Sequence, residues 1–130
     1  MDWKPEYNVG VDYLDEQHKA IVEGIRHLST EFENEQGLRQ AVSELFELIR
    51  THFRHEEIIL LRHGYRDREK HEEIHSKFLD GLGILEQKFA EVGSDLLPTI
   101  IDFLSQWFHD HFTQVDQKYA EIVGKFARPA

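Results

Sequence analysis

Apolar side chains recur along this chain at steps of three and four, the period of a helix that buries one face. Leu14, His18, Ile21, Ile25, Leu28 and Phe32 form the first such seam. Asp12 stands where a short polar side chain can cap its start, which predicts a helix over about 12–33. Val42, Leu45, Ile49, His52, Glu56 and Ile59 repeat the rhythm over about 38–62, with Gly64 placed to end it. Asp67 is positioned to cap a third helix, to about residue 91, whose seam is His71, His75, Phe78, Leu82, Leu85 and Phe89. The fourth, about 95–115, carries Leu97, Ile100, Leu104, Trp107 and His111. It tolerates Pro98 because a first-turn residue has no intrahelical N–H bond to lose. A short fifth segment around Tyr119, Ile122 and Phe126 is expected to pack over the others. Ahead of the first helix, Trp3, Tyr7 and Val9 are expected to anchor an irregular arm; the pattern leaves open that the arm covers a site or makes an oligomer contact. Gly24, Gly81 and Gly83 weaken the helical pattern locally without ending it.

Short connections force consecutive helices to run antiparallel. The expected fold class is therefore all-α: an antiparallel up-down-up-down four-helix bundle with an irregular N-terminal arm and a short C-terminal helix, one domain over residues 1–130.

Composition narrows what such a bundle can do. A formal charge of −10, from 25 acidic and 15 basic residues, repels polyanions, so neither nucleic acid nor an anionic membrane surface is an expected partner. With no cysteine, the chain offers no disulfide, thiolate zinc site or iron–sulfur cluster, and any metal must be held by nitrogen and oxygen. The N-terminal residues lack the basic stretch and apolar run of a signal peptide, and no later run is long enough to cross a bilayer; no membrane insertion and a cytoplasmic location are expected.

Nine histidines are many for such a chain, and their positions give them meaning. Polar groups on an inward seam are costly unless paired or ligated, and all four seams carry them. His18 lies near the start of the first helix, His52 and Glu56 near the end of the second, His71 and His75 at the start of the third, and His111 near the end of the fourth. In an antiparallel bundle these positions share one level, within roughly 6 to 15 Å of the same end at about 1.5 Å rise per residue. His52/Glu56 and His71/His75 are each four apart and can chelate. Asp116 follows His111 by five, about 140° away on a continuous helix, so a bend or helix end is expected there if the aspartate is to reach inward.

Asp15-Glu16-Gln17-His18, His52-Phe53-x-x-Glu56-Glu57, His71-x-x-x-His75 and Trp107-x-x-x-His111-Phe112-x-x-x-Asp116-x-x-Tyr119 together resemble the hemerythrin family, in its bacterial form, over nearly the whole chain. The resemblance implies a cofactor of two non-heme iron ions joined by an oxo or hydroxo bridge. His71, His75 and His111 would bind one iron, His18 and His52 the other, and Glu56 and Asp116 would bridge them. Five histidines, two bridging carboxylates and one bridging oxygen leave one of the twelve positions on two six-coordinate irons vacant, and there dioxygen would bind reversibly. Imidazole-dominated ligation separates this set from carboxylate-rich di-iron oxidases and favours binding oxygen over consuming it, so the chain is expected not to be an enzyme. Phe53, Trp107, Phe108 and Phe112 stand beside ligand positions and could wall an oxygen pocket. Relatives commonly carry leucine and isoleucine at positions 108 and 112, and methionine at position 60.

Oxygen carriage, storage or delivery is thus the leading expectation, with dioxygen as the partner, an oxygen-accepting protein as a further one, and a monomer or weak oligomer as the state. Two alternatives use the same metals: a redox scavenger of peroxide or nitric oxide, and an oxygen sensor acting through a partner. The other histidines read as bystanders. His27 and His109 point away from the seam and are expected in solvent, His55 at a boundary, and His63 in a last turn where it favours the helix dipole. Glu57, Glu72 and Glu73 read as solvated faces.

Overall fold

A computed structural model of the protein describes residues 1–127, with side chains to residue 123. After an arm with one 3₁₀ turn at Pro5–Tyr7 come helices α1 (Asp12–Leu28), α2 (Glu35–Arg62) and α3 (Arg68–Val92). A 3₁₀ turn at Gly93–Leu96 leads into α4 (Leu97–Asp110), a π turn at His111–Val115 follows, and α5 (Gln117–Ala127) ends the described chain. The long helices α1 to α4 form an all-α four-helix bundle in which the chain reverses at residues 29–34, 63–67 and 93–96. No strand occurs among the described residues. Among them, too, no helix is long and apolar enough to cross a membrane.

The helix ends differ from the expected ones for local reasons. Asp12 lies within the first turn of α1 and does not cap it; the residue before the helix is Val11, which has no side-chain acceptor to offer. Asp15 does the tethering, accepting from the backbone N–H of Val9 at 2.6 Å and Gly10 at 3.3 Å, which fixes the arm to the helix start. α1 stops at Leu28, five residues early, because Ser29 N–H turns back onto Arg26 and His27 and the Thr30 hydroxyl donates to the His27 carbonyl at 2.6 Å. Phe32 therefore lies outside the helix, edge-on to His27 and packed against the core. α2 begins at Glu35, before the expected start, since Asn34 Oδ1 accepts from Gly37 N–H at 2.8 Å. Asp67 occupies the cap position of α3 without a side-chain bond. Gly64 ends α2 with φ +63°. Gly24 also has a packing reason: a Cβ there would meet Leu45 Cδ1 at 2.6 Å, so the glycine lets α1 and α2 approach.

Two apolar clusters fill the interior. The larger holds Ile21, Ile25, Phe46, Ile49, Phe78, Leu82, Ile100 and Leu104; the smaller, at the end of the bundle, holds Val9, Val11, Leu14, Ile59, Leu60, Tyr65, Tyr119 and Val123. The arm joins both, Tyr7 in the first and Val9 and Val11 in the second. Within α5, Tyr119 and Val123 pack inward while Ile122 is exposed; the side chain of Phe126 lies outside the described ones. Along the chain, polar residues stand where it passes between the two clusters: His18 between Leu14 and Ile21, His52 and Glu56 between Ile49 and Ile59, His71 and His75 between Tyr65 and Phe78, His111 and Asp116 between Phe108 and Tyr119. A polar layer thus lies sealed between two dry ones.

Candidate metal centre

All seven expected ligands meet in that layer, each no more than 2% exposed. Ligand atoms of Glu56, His71, His75 and His111 lie within 4.8 Å of one another, as do those of His18, His52 and Glu56, so two groups share one carboxylate. Glu56 divides its oxygens between them: Oε1 is 2.6 Å from His71 Nε2 and 3.1 Å from His75 Nε2, while Oε2 is 3.4 Å from His52 Nε2 and 3.8 Å from His18 Nε2. Asp116 repeats the division, with Oδ1 at 2.9 Å from His111 Nε2 and 3.3 Å from His71 Nε2, and Oδ2 at 3.5 Å from His18 Nε2.

The π turn solves the geometry of Asp116. Its N–H bonds to the His111 carbonyl at 2.9 Å, five residues back, so the wider turn stacks the aspartate over the histidine where an α-helix would swing it aside. The fourth helix expected over 95–115 is accordingly two segments, α4 and this turn.

Three of the outward nitrogens are held from behind, while His111 Nδ1 is buried without a partner. His18 Nδ1–H donates to the Tyr7 carbonyl at 2.8 Å, His52 Nδ1–H to Gln17 Oε1 at 2.8 Å, and His75 Nδ1–H to Glu57 Oε2 at 3.3 Å. A proton committed to Nδ1 leaves the Nε2 lone pair facing inward. Tyr119 donates its hydroxyl to Glu56 Oε2 at 2.8 Å. Phe53 stacks on His75 with centroids 3.8 Å apart, Phe112 on His18 at 4.1 Å and Trp107 on His111 at 4.3 Å; Phe108 packs behind them against Phe53 and Phe112.

The residues fit metal on the satisfaction of their own atoms. His18 Nε2, His52 Nε2 and both oxygens of Asp116 are buried without a hydrogen-bond partner, although nitrogens and oxygens stand 2.9 to 3.5 Å apart. Buried polar atoms left without a partner at such separations are accounted for by a cation shared between them. His75 Nε2 and His111 Nε2 face one another at 3.3 Å, near the about 3 Å separating two nitrogens bound at right angles at about 2.1 Å from one ion.

Without a cation, protons take its place. Burial favours neutral His71, yet Asp116 and Glu56 outweigh it and push the imidazole up to about 10. His18 and His75 are raised likewise against their burial, chiefly by Glu56. His52 goes the other way, because burial wins there. Burial and Glu56 raise Asp116, but His111 and His71 hold it down to about 2. The four histidines around Glu56 overcome its burial and keep it well below the usual carboxylate range.

The model of the hemerythrin HHE cation binding domain matches residues 9–123. The chain belongs to the hemerythrin family. A bacteriohemerythrin of Stenotrophomonas maltophilia is 28% identical over 132 aligned residues, covering 97% of this chain and 86% of the relative. Another, of Pseudomonas aeruginosa, is 28% identical over 93% of this chain and 80% of its own. The myohemerythrin of Theromyzon tessulatum is 28% identical over 90% of this chain and 88% of its own. A crystal structure of wild-type hemerythrin superposes with a TM-score of 0.86 at 24% identity, covering 95% of this chain and 98% of that one. Fold and family thus agree with the resemblance to hemerythrins that the sequence motifs carry.

Several contributors escaped the sequence pattern. Gln17 and Glu57 each adjoin a ligand in sequence and reach a histidine on another helix, so only the packing reveals them; Glu57 is half-buried instead of solvated. His109 is likewise not in solvent: its Nδ1 accepts from the Tyr7 hydroxyl at 2.9 Å. His55 takes its expected boundary position, accepting from Gln17 Nε2 at 2.7 Å, and His27 is exposed. His63 follows the last turn of α2.

Proposed function

We propose that this chain, acting as one domain, binds dioxygen reversibly at a non-heme di-iron centre and serves to carry, store or deliver it. The observation that carries the reading is the double division of Glu56 and Asp116 between two histidine groups, an arrangement suited to two cations and unsuited to one. His71, His75 and His111 would hold one iron and His18 and His52 the other, with the carboxylates bridging. Support also comes from membership of a family in which oxygen binding is the shared function. When bound, two ferrous ions supply the electrons that hold dioxygen.

The chain's own residues do the rest. Tyr7, Gln17 and Glu57 fix the rings of His18, His52 and His75, and the Tyr119 hydroxyl fixes Glu56. Phe53, Phe112 and Trp107 cover the imidazole faces and exclude water from the polar layer. Five neutral donors against two carboxylates give a set that stabilises the lower oxidation state, which favours a binding protein over an enzyme. Iron-loaded protein, reduced without air, is expected to bind two irons per chain, to develop an oxygen-to-iron charge-transfer band in air and to lose it under vacuum. Irreversible oxidation at first exposure would overturn this reading.

A further inference from the structure

Between Lys88 and Lys118 the chain contains no lysine or arginine, although it carries 15 in all. The whole of α4 falls in this stretch. Its outward flank is a groove of about 560 Å³ floored by Phe103 and Trp107, with Asp102 and Asp110 on its rim. A second groove of about 480 Å³ shares Asp102 and runs to the N-terminal arm, where Met1, Asp2 and Lys4 line it and Arg26 stands 3.8 Å from Asp2. An apolar centre inside an acidic rim selects a partner of the opposite pattern. A second copy of this chain, at net −10, would meet it with the same sign.

What lies beneath the groove narrows the partner further. The half-buried Trp107 lines it from outside, while the indole lies parallel to the His111 ring within 14° at 4.3 Å. Tyr7 lines the neighbouring groove, and its carbonyl accepts from His18. This face therefore touches one histidine of each group. Stacked rings in van der Waals contact are a route for electrons from the surface.

Resting on the iron reading above, we propose that the outward face of α4 docks a basic-rimmed one-electron carrier protein, and that Trp107 is the contact through which its electrons reach the metal at His111. A ferrous site exposed to dioxygen loses electrons to it in side reactions. Each docking returns one: the reduced carrier leaves oxidised, one ferric ion becomes ferrous, and two dockings restore the pair.

Zinc-substituted cytochrome c serves as the probe, a basic protein whose photoexcited porphyrin gives up one electron. Titrated into the ¹⁵N-labelled, iron-loaded full chain, it is expected to shift amides of α4 and residues 1–7. Asp102→Asn with Asp110→Asn should weaken binding about threefold or more at low salt, with the difference vanishing at high salt. Flash photolysis of the complex should show electron transfer slowed several-fold in Trp107→Leu. If that variant loses iron, Trp107→Phe, which keeps a ring over His111, carries the comparison. Shifts on another face, no binding, an affinity indifferent to the two aspartates, an unchanged transfer rate, or self-association through α4 would each overturn the proposal. Failure of docking beside a band reversible in air and vacuum defeats this inference alone; absence of the band defeats the oxygen reading.

Discussion

Glu57 is a side chain outside the proposed ligand set that still touches one of its histidines. It is one residue beyond Glu56, half-exposed, and accepts from His75 Nδ1. His18 and His52 lean instead on a carbonyl and an amide oxygen, both neutral. A carboxylate behind an imidazole raises its basicity and locks its ring, so His75 is the most strongly donating of the three. Glu57→Gln keeps the size and an acceptor but removes the charge. Iron affinity at the His71, His75 and His111 position is expected to fall about 10-fold or more, at the low end of what such partners contribute. Competition against a chromophoric chelator measures it; an affinity within twofold of the parent's would mean that the contact only fills space.

At the scale of elements, the turn after α4 decides whether Asp116 belongs to the site. The π turn holds one residue more than an α turn, and the extra residue leaves downstream helix phase unchanged. Deleting the exposed Gln114 makes Asp116 the fourth residue after His111, still on the same helix face by α geometry. Inserting an alanine after Gln114 swings Asp116 by about 100°. The deletion is expected to keep full iron content and the insertion to lose it, with helical circular dichroism retained in both; equal iron content in the two would show that Asp116 is not a ligand. Such a turn also marks where sequence reasoning stops. The helices and their inward histidines were legible because a period of 3.6 repeats through Leu14, His18 and Ile21 or through Ile49, His52 and Glu56. The five-residue step to Asp116 signalled an irregularity without giving its form. The ends of α1 and α2 rested on Ser29, Thr30 and Asn34, short-range bonds that compete with the helix and leave no periodic trace. Gln17, Glu57 and Tyr7 act across helices, so their roles depend on packing that a linear pattern does not encode.

For the whole molecule, the buried layer makes stability depend on pH in opposite senses with and without metal. In the metal-free protein His71 is raised from 6.5 to about 10, so its contribution is complete below pH 6.5 and is lost as pH climbs through 10. His18 and His75 act in the same sense. Asp116, lowered from 3.8 to about 2, contributes fully above pH 3.8 and loses that contribution only as pH falls through 2. His52 opposes the other histidines, since its lowered value makes its contribution fade as pH falls below 6.5. Three raised imidazoles against one lowered give a metal-free bundle whose melting temperature declines from pH 6.5 toward 10. Metal reverses the slope, because it binds only deprotonated ligands and each proton on His71 competes with it. A cation bound to the native state alone stabilises by mass action. The rise in melting temperature on adding ferrous iron without air is therefore expected to be larger at pH 8.5 than at pH 6, and differential scanning fluorimetry on both forms reads it directly. A metal-free melting temperature that climbs between those pH values would show that the histidines are neutral when the metal is gone, and that the carboxylates between them are held by other means.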